Sequence, residues 1–153
     1  MKTHSSDELY ATGLRLWNEW TEMWSGRPEL ARAIVADRFV LHLTSPSQVA
    51  ESSVDGPEAV ERFVIAYRGR FQRLTFHLGC GPFVDVRAGV VAGPWFADTS
   101  IDGSPRPVCG MDTIAFRDGK ITEYWTLSKE VDAVGRWVSA SELGDEAAPA
   151  GSK

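Results

Sequence analysis

Apolar positions near the start of the chain recur with the spacing of a helix. Tyr10, Leu14, Trp17, Thr21 and Trp24 form one stripe, with Leu9, Leu16, Trp20 and Met23 beside it. The apolar sector is wide, so a sheet or a partner covers much of the helix girth. Ser5-x-x-Glu8 has the spacing of a capping box, which satisfies two orphan N–H groups at a helix start. Ser25-Gly26 ends the helix. Pro28 can open a short second helix, where its missing N–H costs nothing; Leu30, Ala31, Ile34 and Val35 are its expected buried side. Residues 38–43 read as a strand, with Val40 and His42 on one face and Phe39, Leu41 and Leu43 on the other. Residues 44–55 are polar, contain Pro46 and read as a loop. Asp55-Gly56-Pro57-Glu58 starts a third helix with the stripe Val60, Phe63, Val64 and Tyr67, ending near Gly69.

The second half of the chain changes period. Residues 73–86, 89–100, 106–117 and 120–131 read as four long strands. Their turns carry Arg87-Ala88-Gly89, Asp102-Gly103 and Asp118-Gly119. An Asp-Gly pair suits a type I′ turn, whose two central residues need positive φ. Consecutive strands with short turns predict an antiparallel meander, and helices followed by strands predict an α+β domain with helices on one sheet face. In the last strand, strict alternation places Ile121, Glu123, Trp125 and Leu127 on one face and Thr122, Tyr124 and Thr126 on the other. In the strand before it, Gly110, Asp112, Ile114 and Phe116 share a face. Residues 1–138 are read as one domain, and the small, polar stretch 139–153 as a disordered tail.

The 153 residues fit one domain. The net charge of −5 and the lack of a Lys/Arg run argue against a nucleic-acid partner. No apolar run approaches the ~20 residues of a membrane helix, and the N-terminus has no apolar signal segment, so the expected location is the cytoplasm. Cys80 and Cys109 have no partner at metal or redox spacing. No metal-ligand spacing and no Gly-rich phosphate loop is present, so neither a metal nor a cofactor is expected.

Two polar residues interrupt apolar strands, His42 and Asp112. Strands disfavour Asp, so Asp112 needs a reason to be there. A His beside a carboxylate is an acid/base device, and an Asp in an apolar pocket can stay protonated and donate to a developing oxyanion. The plainer alternative is that His42 is a satisfied strand histidine and Asp112 is exposed or caps a backbone group. Trp17, Trp20, Trp95 and Trp125 read first as packing residues, and an indole also suits the flat apolar wall of a ligand site. Tyr67 could supply a phenol donor to that site.

The segments ADRFVLHL, VDGPEAVERFV and GMDTIAFRDGKITEYW, in the order strand, helix, final hairpin, resemble the nuclear transport factor 2-like superfamily over about residues 6–132. Its members include ketosteroid isomerases, SnoaL-like polyketide cyclases, limonene epoxide hydrolases and scytalone dehydratases. The resemblance implies a cone-shaped α+β fold, with N-terminal helices packed on a curved antiparallel sheet and a ligand pocket at its open end. Asp112 falls where the isomerases keep a protonated aspartic acid and where the cyclases keep an acid/base aspartate. His42 falls about where the isomerases place their base. Trp17 or Trp20 stands near their helix-1 tyrosine, which speaks against steroid-type isomerisation. Leu127 stands where the epoxide hydrolases need an aspartate, which speaks against that reaction. The expectation is therefore a SnoaL-like enzyme working without a cofactor. It would catalyse isomerisation, aldol-type cyclisation or dehydration of a hydrophobic cyclic carbonyl compound. His42 is its expected base, Asp112 its acid, and Trp17, Trp20, Tyr67, Trp95 and Trp125 line the substrate. The alternative is a non-catalytic binding protein, or an assembly module. The resemblance also implies a homodimer through the outer sheet face, with Thr122, Tyr124 and Thr126 between subunits.

Overall fold

Helix starts and hairpin turns form where the local signals place them. The structure, a computed structural model, describes residues 5–43, 53–79 and 81–130. Helix α1 spans Ser6–Trp24 and carries both halves of the capping box: Glu8 N–H donates to Ser5 Oγ, and Ser5 N–H donates to Glu8 Oε2. A single 3₁₀ turn, Pro28–Leu30, leads into α2, Ala31–Ile34. Helix α3 is Pro57–Arg68, with its proline in the first turn. The strands are β1 (Val35–Leu43), β2 (Arg73–Leu78), β3 (Phe83–Asp85), β4 (Val90–Ile101), β5 (Ser104–Pro105), β6 (Val108–Arg117) and β7 (Lys120–Glu130). Both Asp-Gly turns take the expected backbone, with φ of 51° at Asp102 and Asp118 and 74° at Gly103 and Gly119.

The strands form one curved sheet in the order β1-β7-β6-β4-β2, with β3 and β5 also pairing with β4. The pairs β2–β4, β4–β6 and β6–β7 are antiparallel, as expected of a meander. The sheet is mixed rather than purely antiparallel, because β1 joins its edge parallel to β7. The chain between them includes α3 and the strands β2 to β6, long enough for a parallel return that a tight turn could not make. The stretch expected as one strand over 73–86 is two strands, separated around a cis Gly81–Pro82 bond. Val35, expected on a helix, instead opens β1. Residue 80, most of the loop after β1, and everything past residue 130, including the expected tail, lie outside the described residues.

The core lies between the helices and the inner sheet face. Leu16, Met23, Ile34, Val60, Val64, Val91, Ile114 and Ile121 are fully enclosed there. The buried side of α1 is Gly13, Leu16, Trp17, Trp20, Met23 and Trp24. Tyr10, expected on the buried stripe, is 48% exposed. Gly13 is buried instead, and a Cβ there would come within 2.9 Å of Val84 Cγ1. Among the described residues, no helix is long and apolar enough to cross a membrane.

One irregularity decides which residues look inward. Phe116 pairs with Ile121, but Ala115 pairs with Glu123, so Thr122 is an extra residue on β7. Such a bulge reverses the alternation beyond it. Ile121 and Tyr124 therefore both turn toward the helices, and Ile121 does not share a face with Glu123, Trp125 and Leu127.

Candidate functional site

Asp112 sits in the middle of β6, between Gly110 and Ile114 on the inner face, and is 8% exposed. Alternation alone explains its direction, because Ile114 and Phe116 on the same face belong to the core. Its carboxylate is bound by neutral donors. Trp95 Nε1–H donates to Oδ1 at 2.7 Å, and the Tyr124 hydroxyl donates to Oδ2 at 3.0 Å. Thr126, its cross-strand partner, also bonds the carboxylate. Burial raises the Asp112 pKa from 3.8 to about 6, and the bonds from Trp95, Thr126 and Tyr124 hold it from rising further. Burial first, and then the Asp112 charge, push the Tyr124 phenol well above its ordinary value, so it stays a neutral donor.

Glycines make room for the indoles around this carboxyl. Trp95 lies over Gly110, its cross-strand partner, so closely that a Cβ there would enter the indole. Trp17 lies over Gly93, the cross-strand partner of Asp112; a Cβ at Gly93 would be 2.8 Å from Trp17 Cζ2. Trp20 packs on Tyr124 with ring centres 4.7 Å apart, and its indole N–H makes the smallest of the donor contributions that lower the Asp112 pKa. Tyr67 reaches in from α3, edge-on to Trp24 at 5.4 Å. Its phenol is pushed up mainly by burial, with the Asp112 charge adding to the rise. Phe76 on β2 stands edge-on to Trp95 at 5.5 Å.

Trp17, Trp20, Tyr67 and Trp95 thus gather around Asp112, and His42 and Trp125 do not. The register of β1 on β7 pairs Leu41 with Tyr124 and His42 with Trp125. Leu41 and Tyr124 point inward, so His42 and Trp125 point outward. There the two rings stack, 4.8 Å apart and 4° from parallel, and His42 Nε2 lies 3.2 Å from Glu123 Oε2. The expected His42–Asp112 pair is not formed, because the sheet stands between them. Trp125 walls no inner site for the same reason, and Tyr124 is buried against α1 rather than presented for an outer interface. The sequence reading missed Tyr124 and Thr126 as partners of Asp112. The signal was present in their shared face, but their direction depended on the bulge. Among the described residues, no group of three or more His, Cys, Asp or Glu side chains is placed to hold a metal ion. Cys109 carries a free thiol.

The site has an acid/base group, three neutral donors fixed on it and an aromatic enclosure. A carboxyl with a pKa of about 6 can both accept and return a proton near neutrality.

Comparison with solved structures places the fold. An NTF2-like protein from Anabaena variabilis superimposes with a TM-score of 0.66 at 14% identity, covering 84% of this chain and 95% of that one. A protein named as a SnoaL-like polyketide cyclase from Jannaschia sp. gives 0.65 at 13% identity, covering 84% and 92%. A protein with a ketosteroid isomerase-like fold from Catenulispora acidiphila, in complex with trimethylamine, gives 0.62 at 13% identity, covering 73% and 83%. At these identities the likeness is one of fold. A search of curated proteins finds no match. The SnoaL-like domain family matches residues 14–124, most of the described chain, and with Asp112 and its partners Trp95 and Tyr124 inside that span, the chain belongs to the SnoaL-like family.

Proposed function

We propose that the protein is an enzyme that moves a proton next to a carbonyl group of a hydrophobic cyclic substrate, with Asp112 as both base and acid. The observation that carries this reading is the Asp112 carboxyl itself. It is buried among indoles and phenols, held by Trp95 and Tyr124, and has a pKa of about 6. At neutral pH it is mostly ionised and can take a proton from the carbon beside a carbonyl. The electron pair of that C–H bond becomes the new C=C bond, and the carbonyl π pair moves to oxygen. The protonated Asp112 then returns its proton to carbon, giving an isomer. With a suitably placed second carbonyl or leaving group, the same enolate leads to aldol-type ring closure or dehydration. His42 has no part in this, and no cofactor is required. Trp17, Trp20, Tyr67 and Trp95 exclude water, which strengthens each polar contact to the substrate.

The test is exchange of the α-hydrogens of β-tetralone, a bicyclic ketone, for deuterium in heavy water, followed by NMR. The wild type should accelerate exchange over buffer, and Asp112→Asn should lose ~10²-fold or more of that acceleration. Binding of the ketone without any acceleration would favour the second reading, a ligand-binding protein.

One observation favours a role in assembly as well. Val40, Met111, Trp125 and Leu127 are all exposed, and all lie on the outer sheet face. Such a strip suits a homodimer contact made by Trp125 and Leu127, rather than by Tyr124.

A further inference from the structure

The chain is acidic overall, with a net charge of −5, yet it carries no Asp or Glu between Glu61 and Asp85 and four arginines in that interval. The interval covers the end of α3, the turn after it and β2. Three of its arginines take different places. Arg68 donates to the Trp24 carbonyl at the end of α1, and already supplies the positive charge that suits the last turn of α3. Arg73 pairs in register with Ser100, so alternation puts it on the outer sheet face with Thr75 and His77. Arg70 is turned to the aromatic enclosure instead. Its backbone N–H donates to the Tyr67 carbonyl at 3.1 Å, which tightens the chain as it leaves α3. The guanidinium then lies over the Tyr67 ring, 5.7 Å from its centre, and Phe71 closes on the same ring at 5.3 Å. Arg15, Arg27 and Arg32 are each paired with a glutamate. Arg70 is exposed and has no carboxylate partner among the described residues. Stacking engages the face of a guanidinium and leaves the N–H groups on its edge free to donate. The Tyr67 hydroxyl is a second free donor, half-buried and without a hydrogen-bond partner among the described residues. Burial raises its pKa most, Arg70 opposes the rise and Asp112 adds to it, so one hydroxyl lies within reach of both charges.

We propose that Arg70 and the Tyr67 hydroxyl form a carboxylate clamp where the aromatic enclosure meets water, so that the ligand of this site is a hydrophobic cyclic acid. This rests on the acid–base reading above and names its substrate class: a cyclic ketone that also bears a carboxylate. A carboxylate is planar and takes two parallel N–H bonds from a guanidinium, with lone pairs left over for a phenol. One cation matches its single charge, whereas a phosphate dianion would be only half neutralised. Because Arg70 is exposed, the bound anion keeps part of its water, and only the hydrocarbon rings need to be buried. Orientation follows from the same charges. The ionised Asp112 repels a second carboxylate, and Arg70 attracts it. The acidic end therefore stays at the edge, and the ketone end is the one that meets Asp112.

The test is calorimetric titration at low salt with β-naphthoate and with β-naphthamide, its neutral counterpart of the same shape. The wild type should bind the acid about tenfold more tightly, the low end for hydrogen bonds to a charged group, because Arg70 is open to water. Arg70→Met should bring the ratio to within about twofold, Arg70→Glu should invert it, and Tyr67→Phe should reduce it about threefold. Arg73→Met removes the same charge from the outer face and should keep the ratio. Position 70 lies at the surface, so its variants leave the core undisturbed. Equal affinity for the two compounds, binding of neither, a preference that survives Arg70→Met, or one that Arg73→Met removes equally overturns the proposal. A second measurement separates the two readings: α-hydrogen exchange of β-tetralone and of its derivative with a carboxylate on the aromatic ring, each relative to its rate in buffer. An Arg70-dependent preference for naphthoate with no accelerated exchange keeps the clamp and removes the acid–base reading. Accelerated exchange whose kcat/KM the carboxylate does not raise removes the clamp and leaves the acid–base reading standing.

Discussion

Replacing Asp112 by asparagine should stabilise the folded protein, and by an amount that depends on pH. Asparagine has the shape of aspartate, keeps an acceptor for Trp95 and cannot ionise. In the native protein burial raises the Asp112 pKa from 3.8 to about 6. Below about pH 4 the side chain is protonated both folded and unfolded, and its ionisation costs nothing. Between about 4 and 6 the folded protein holds a proton that the unfolded chain has released, so stability falls as pH rises. Above about 6 both states are ionised and the full cost is present. At about 1.36 kcal/mol for each pH unit of that window, the cost is about 3 kcal/mol. That is a sizeable part of the 5–15 kcal/mol typical of a whole domain. Urea unfolding of wild type and Asp112→Asn should be measured at half-unit steps from pH 4 to 8. The stability difference between them should move by about 2.4 kcal/mol in favour of asparagine across this range, with most of the change centred near pH 5. A difference that stays flat with pH, or that moves in favour of aspartate as pH rises, refutes the account of Asp112 as a carboxyl strained by burial.

Other substitutions probe the surroundings of the same group. Trp95→Phe removes the 2.7 Å donor that holds the Asp112 pKa down, so the pH midpoint of β-tetralone exchange should move upward and stability should fall by about 1–3 kcal/mol. Gly110→Ala forces a methyl group against the Trp95 indole, and should cost about 1–3 kcal/mol in urea unfolding while weakening the bond to Asp112. His42→Ala should leave the exchange rate unchanged, because the imidazole stacks on Trp125 across the sheet from Asp112; a large loss would return His42 to the mechanism. Leu127→Arg places a charge on the outer apolar strip, and should convert any dimer to monomer in analytical ultracentrifugation with exchange activity per chain retained.

Signals confined to a few neighbouring residues were legible in the sequence. The capping box at Ser5 and Glu8, the Asp-Gly turns, the proline at the head of α3 and the face that Asp112 shares with Ile114 and Phe116 all follow from local spacing. Long-range register was not. Alternation along 120–131 is a sound guide only while each residue faces one partner, and Thr122 breaks that condition. The break puts Tyr124 on the inner face together with Ile121, and hands Trp125 to the outer face. His42 and Asp112 looked like a pair because both interrupt apolar strands. A strand has two faces, however, and only the parallel pairing of β1 with β7 decides which one His42 takes. On α1 the sequence pattern finds the buried Leu16, Trp17, Trp20, Met23 and Trp24 but not Gly13, because a glycine registers as a weak core residue although it is buried against Val84 and Phe116.

The donors on Asp112 have a consequence of a different kind. Trp95, Tyr124, Thr126 and the nearby Trp20 are all uncharged, and the largest influence is burial. Dissolved ions weaken interactions between charges, yet they have little hold on a hydrogen bond inside a core. The proton affinity of this carboxyl should therefore be nearly indifferent to ionic strength and to the charges evolution adds or removes on the surface. The outer face can acquire new partners, and the net charge of −5 can drift, while the acidity of the site stays where the interior sets it.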